Sequence, residues 1–250
     1  MVWRTFLCVL FCFFSQQSLQ AETLRVGLSS ADYPPYYFEG LEGMEGAAIE
    51  IAEDLANQLG YNLEYHRYPW KRVQHNLKTG AVDMVLLYFK TDERAKDVIY
   101  TRTSHLIERS SLVIPIHLDI QFDGDLDALK QFEFYGVRGY FYGDQYEHAE
   151  YLSKHYVSDE IELVRWIATE RRNFIGVGNK PTLEFYANKL GLLDKIKFVE
   201  PVVDEGKNYF AFSKMLTDAE NIAIRFSNEF DNYKKTGRYK EILNQYKIGP

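Results

Sequence analysis

Cysteine is almost missing from this chain. Its two cysteines, Cys8 and Cys12, both fall within the first 21 of 250 residues. The remainder therefore offers no disulfide, no thiolate nucleophile and no cysteine metal site. An excess of positive charge is missing too. The 29 Lys and Arg are outnumbered by 36 Asp and Glu, for a net charge of −7, and the basic residues are scattered. That balance argues against nucleic acid as a partner. The six histidines stand at 66, 75, 105, 117, 148 and 155 and show no metal-ligand spacing such as H-E-x-x-H. His148 and His155 are seven apart on an expected helix and are read as solvent-facing. No G-x-S-x-G, Walker loop or Rossmann fingerprint is present, so neither a metal nor a cofactor is expected. Proline numbers seven and forms no linker. Beyond the N-terminus no apolar run reaches membrane-spanning length.

What is present begins with a leader. Arg4 supplies a positive start, residues 5–14 an apolar stretch, and residues 15–21 a more polar end closing on the small Ala21. This pattern reads as a secretory signal peptide, residues 1–21, cleaved after Ala21, and places the mature protein outside the cytoplasm. Phe11 before Cys12 is too bulky for a lipid-attachment site. Hydrophobic content of 46% and charged content of 26% are ordinary for a globular domain. The aromatic share is not: 16%, with 19 Tyr and 17 Phe.

Periodicity gives the elements. Residues 24–28 read as a strand. The following loop carries Pro34 and Pro35, which exclude helix and central strand. Ala48, Ile51, Ala52, Leu55, Ala56 and Leu59 recur at helical spacing up to Gly60. A strand over 62–66, a helix over 69–79 ending at Gly80, and a strand over 82–89 follow. Alternation of strand and helix implies a parallel sheet. A second such unit starts after Leu112: strand 112–116, short helix 126–132, strand 134–137, helices 144–154 and 161–171, strand 174–177, helix 181–190 and strand 195–199. A strand over 209–212 and helices over 217–235 and 239–246 close the chain.

The stretch 83–94 is the most informative. Met84-Val85-Leu86-Leu87-Tyr88-Phe89 is a buried-strand run that breaks at Lys90-Thr91-Asp92, with Arg94 just beyond. Ligands of open α/β sheets sit past the carboxyl ends of the strands. An arginine there presents a fork of donors suited to a carboxylate. Tyr33, Tyr36, Tyr37, Trp70, Tyr88, Phe89, Tyr140, Phe141 and Tyr142 fall at strand ends or helix starts, where they line a cleft or pack the core. Tyr33, Trp70 and Tyr140 are the preferred ligand contacts. Arg72 and Arg138 would add positive charge.

The order Leu24-Arg25-Val26-Gly27, Tyr33-Pro34-Pro35-Tyr36, Gly46 with its helix, Gly80-Ala81-Val82-Asp83 and Thr91-Asp92-Glu93-Arg94-Ala95 resembles the polar amino acid type of periplasmic solute-binding protein, family 3. Gly136-Val137-Arg138-Gly139-Tyr140 and Gly237-Arg238-Tyr239-Lys240-Glu241-Ile242-Leu243 continue the likeness. The resemblance implies a type II periplasmic-binding-protein fold. This is an α/β architecture of two lobes, each a mostly parallel sheet flanked by helices, joined by a two-strand hinge near 107–110 and 201–207. Lobe 1 would hold 22–108 plus 205–250, and lobe 2 would hold 109–204. It also implies a monomer that captures a small carboxylated ligand and delivers it to an inner-membrane ABC permease.

Carried over by position, Arg94 would pair with the ligand carboxylate and Tyr33 and Trp70 would sandwich its side chain. Gly139 and Tyr140 would close from lobe 2. Two departures stand out. Leu87, Tyr88 and Phe89 replace small or hydroxyl residues. Asn179 replaces the aspartate that amino acid binders use for the ammonium, and a neutral amide cannot supply that ion pair. The expected ligand set is thus Arg94, Tyr33, Trp70, Tyr88, Phe89, Gly139, Tyr140, Asn179 and Arg72. The alternative is a cyclohexadienyl-type dehydratase on the same scaffold, with Glu184 or Asp32 as general acid, or a ligand-sensing partner protein.

Overall fold

The computed structural model describes residues 21–169 and 174–248. The expected leader, with Arg4, Cys8 and Cys12, lies outside them apart from Ala21, as does Arg171 at the end of one expected helix. In chain order the strands are β1 (Glu22–Ser29), β2 (Phe38–Glu39), β3 (Met44–Glu45), β4 (Tyr61–Tyr68), β5 (Met84–Phe89), β6 (Val98–Tyr100), β7 (Leu106–Pro115), β8 (Glu133–Val137), β9 (Ser153–Val157), β10 (Phe174–Asn179) and β11 (Ile196–Ser213). The helices are α1 (Ala47–Leu59), α2 (Trp70–Thr79), α3 (Asp144–His148), α4 (Glu160–Thr169), α5 (Lys180–Lys189), α6 (Ala219–Tyr233) and α7 (Gly237–Gln245).

One hydrogen-bonded path crosses the molecule in the order β4-β1-β5-β11-β7-β10-β8-β9, with β6 paired to β11. Its outer parts are parallel: β4-β1-β5 at one end and β10-β8-β9 at the other. Its middle is antiparallel, where β11 pairs with β5 and β7, and β7 with β10. The apolar interior divides accordingly. Helices α1 and α6 cover β1 and β5 with Leu24, Ile51, Leu55, Phe226 and Phe230. Val73 and Leu77 of α2 pack the opposite face with Val82 and Val85. Two further clusters, with Leu112, Phe134 and Ile175, and with Val113, Leu163 and Phe174, enclose the second set of strands. Both long strands β7 and β11 run from one set of clusters to the other.

Helices α1 and α2 end where the terminating glycines predict, Gly60 and Gly80 both adopting the left-handed conformation. Three expectations are corrected. Residues 195–199 and 209–212 belong to one strand, β11. Its pairing with β7 slips between Val199 and Asp204, around Pro201, which has no N–H for the ladder. Strand β7 begins at Leu106 rather than 112. The helix expected over 144–154 stops at His148, and residues 153–157 form β9 in parallel register with β8, Glu133 opposite Ser153. His148 and His155 therefore do not share a helix face, and the His155 ring stacks on Tyr135 with centroids 5.0 Å apart. Strands β2, β3 and β6 are short additions that no periodicity marks.

Candidate functional site

The β5 run ends at Phe89 and the chain turns into a single 3-10 turn, Arg94–Lys96. Thr91 Oγ1 accepts from the Arg94 backbone N–H at 3.2 Å, which fixes the turn. The guanidinium then folds back over Tyr88, 4.5 Å from the ring centre, a cation–π contact. Its Nη1 donates to the Phe89 carbonyl at 3.1 Å. Its Nη2 donates to the Gly139 carbonyl, also at 3.1 Å.

That carbonyl is a focus. Trp70 Nε1 and Gln74 Nε2, both on α2, donate to it at 3.1 and 3.2 Å. Three donors held by one core thus converge on a single oxygen of the loop after β8. Gly139 reaches them in a left-handed conformation (φ 85°), and a Cβ there would lie 2.5 Å from Lys71 Cε. Above this point the Tyr140 ring meets Tyr33 and Trp70 edge-on, both with centroids 5.9 Å apart.

Beneath them is a narrow cavity of about 40 Å³. Tyr33, Trp70, Phe89, Arg94 and Tyr140 line it, five of the nine expected residues. Tyr88 lies behind Arg94, buried as the platform for its guanidinium. Gly139 lines an outer polar groove with Arg94 and Arg138. Asn179 is buried but elsewhere. It caps α5, accepting from Thr182 N at 3.2 Å, and donates to the Tyr36 hydroxyl at 3.4 Å. Arg72 is exposed on α2 and lines neither space. Of the acids considered for catalysis, Asp32 is held by Arg67 at 2.8 Å. Glu184 is half-buried on α5, and neither it nor Asp32 lines the cavity.

Sequence reasoning missed Glu108 and Asn208, which line the same cavity. Glu108 accepts from the Tyr33 hydroxyl and from Asn208 Nδ2, the latter at 3.1 Å. Burial pushes its carboxyl up to about 7, while those two bonds and Arg94 pull it back. The available signal was phase. In a strand starting at Leu106, Glu108 falls on the same face as Leu106 and Ser110, all three buried. A second buried acid, Glu160 at the start of α4, accepts from the Tyr140 hydroxyl at 2.8 Å and is likewise pushed up to about 7 by burial.

Further bonds tie the two sets of clusters together beside the cavity. Thr182 Oγ1 donates to Pro34 O and the Tyr186 hydroxyl to Asp32 O, both at 2.7 Å. Among the described residues no cluster of His, Cys, Asp and Glu could hold a metal ion. No helix among them is long and apolar enough to cross a membrane.

The sequence pattern of the bacterial extracellular solute-binding proteins, family 3, matches residues 24–249. The chain belongs to this family. A stretch of 84 residues is 32% identical to the arginine-binding extracellular protein ArtP of Bacillus subtilis (strain 168), covering 32% of this chain and 33% of that relative. A histidine kinase sensor domain similar to periplasmic binding proteins superposes with a TM-score of 0.75 at 20% identity, over 91% of this chain and 96% of the other. An ancestral amino-acid-binding protein, a precursor of cyclohexadienyl dehydratase, superposes with a TM-score of 0.71 at 22% identity, over 90% and 95%. These likenesses establish the family's type II periplasmic-binding-protein fold.

Proposed function

We propose that this protein captures a small carboxylated ligand by closing two lobes around it, and that it serves uptake through an ABC-type permease from the periplasm. Residues 22–108 with 205–250 form one lobe and 109–204 the other, and β7 and β11 are the hinge strands. The observation that carries the reading is the convergence of Arg94, Trp70 and Gln74 on one oxygen across the cleft. A carbonyl oxygen has two lone pairs, so three donors are more than Gly139 can serve well. A ligand carboxylate inserted there offers two oxygens and a negative charge to a bidentate guanidinium. Tyr33, Trp70 and Tyr140 then pack the body of the ligand.

Mechanistically, the ligand stabilises the closed arrangement only by as much as it prefers it over the open one. The contacts Thr182–Pro34 and Tyr186–Asp32 supply part of the closure without ligand. The protein acts as a monomeric binder rather than an enzyme.

A thermal-shift screen of the purified protein tests this, with amino acids, dicarboxylates, aromatic acids, amino-acid conjugates and polyamines. A ligand at about a hundred times its dissociation constant adds about 2.7 kcal/mol to stability. Arg94→Ala is expected to abolish the shift from every carboxylated hit while the unliganded melting point stays within a few degrees. An undiminished shift in that variant refutes the site.

A further inference from the structure

We infer that the ligand is a zwitterion whose protonated amine is held by Glu108 and Asn208, in place of the position-179 side chain. The inference deepens the proposed function and rests on Arg94 taking the carboxylate.

The cavity is lined by two chemically distinct kinds of polar group. Arg94 is purely a donor. Opposite in character, Glu108 and Asn208 present acceptors. Each Glu108 oxygen takes one hydrogen bond, from Tyr33 or from Asn208 Nδ2, while an ionised carboxylate has about four acceptor sites. The Asn208 side chain is 1% exposed and its Oδ1 has no hydrogen-bond partner among the described residues. A buried acceptor without a donor is destabilising. Asn208 lines the ligand cavity, so a donor that arrives from outside is one this acceptor can take.

An ammonium group brings three N–H donors and a positive charge. It satisfies Asn208 Oδ1, takes the spare sites on Glu108, and neutralises a carboxylate that is otherwise costly to bury. Neutral donors fit less well because, once Arg94 pairs with the ligand carboxylate, they leave Glu108 without a cation of its own. The backbone explains why these two residues meet. Glu108 lies opposite Gly206 in the β7–β11 ladder and Asn208 two residues on, opposite Leu106, so both point to one face of the paired strands. Position 179 cannot do this work, since its amide is committed to the α5 cap and to Tyr36.

The test is calorimetric titration of the purified protein with the twenty common L-amino acids, their 2-hydroxy acid analogues and their decarboxylated amines. The expected result is that at least one amino acid binds, with its 2-hydroxy analogue at least tenfold weaker. Glu108→Gln should then lower affinity for the amino acid at least tenfold and leave the weak 2-hydroxy acid binding unchanged. Arg94→Ala should abolish both, which separates failure of the carboxylate site from failure of the ammonium site. Equal binding of the amino acid and its hydroxy analogue to the unaltered protein overturns the inference even where Glu108→Gln does not fold. So does unaltered amino acid affinity in a folded Glu108→Gln, or the absence of any amino acid binding at millimolar concentration. Elimination from a cyclohexadienyl acid that requires Glu108 would also overturn it, by making that residue a proton donor.

Discussion

Replacing Glu160 by Gln should make the protein less sensitive to rising pH. Glu160 is 3% exposed. One of its oxygens accepts from Tyr140, and the other has no partner among the described residues. Burial raises its carboxyl from 4.5 to about 7, with Asp159 and Glu108 adding repulsion. The folded state therefore holds this proton more tightly than the unfolded chain. Below pH 4.5 both states are protonated and the group contributes its full stability. As pH rises through 7 that contribution is lost, because the fold must then contain the charge.

At about 1.4 kcal/mol per pH unit, the cost grows to about 3 kcal/mol by pH 8, whereas at pH 5 it is under about 1 kcal/mol. Glutamine keeps the acceptor for Tyr140 and cannot ionise. Any fixed penalty of its buried amide is the same at both pH values. Urea denaturation of both proteins at pH 5 and pH 8, followed by circular dichroism, should thus show the variant gaining about 2 kcal/mol on the unaltered protein between the two. Parallel pH dependences would refute the reasoning and mean that Glu160 is ionised at little cost.

Two further outcomes are expected. His105 is fully buried, neither ring nitrogen has a partner among the described residues, and its ring lies 3.8 Å from that of Phe210. Burial lowers it to about 3, so the unfolded chain binds a proton that the fold does not. Stability is lost as pH falls below the ordinary value of 6.5, by about 2 kcal/mol at pH 5. His105→Phe keeps the stack and should remove most of this acid sensitivity in melts at pH 5 and 7.5. Gly206→Ala would place a Cβ 1.8 Å from Phe89 Cε1. The ring must leave the cavity wall, so ligand-induced thermal shifts should fall several-fold; an unchanged shift would mean Phe89 has no part in the site.

The sequence alone determined the family, because the family's order of short motifs survives in the chain. It also determined the elements whose periodicity is strong: α1 and α2 up to their terminating glycines, and β5 with Arg94 beyond it. Arg94, Trp70 and Tyr33 were legible because strand-end loops line clefts in this class of sheet. The tertiary structure decided the rest. Residues 153–157 became strand because β8 offered an edge to pair with, which outweighs weak local helix propensity. Asn179 caps α5 and does not line the cavity, since its place depends on which loop, here Tyr36, lies across from α5. Glu108 and Asn208 came together only through the register of β7 on β11. Register is a relation between segments about a hundred residues apart, which no local pattern encodes.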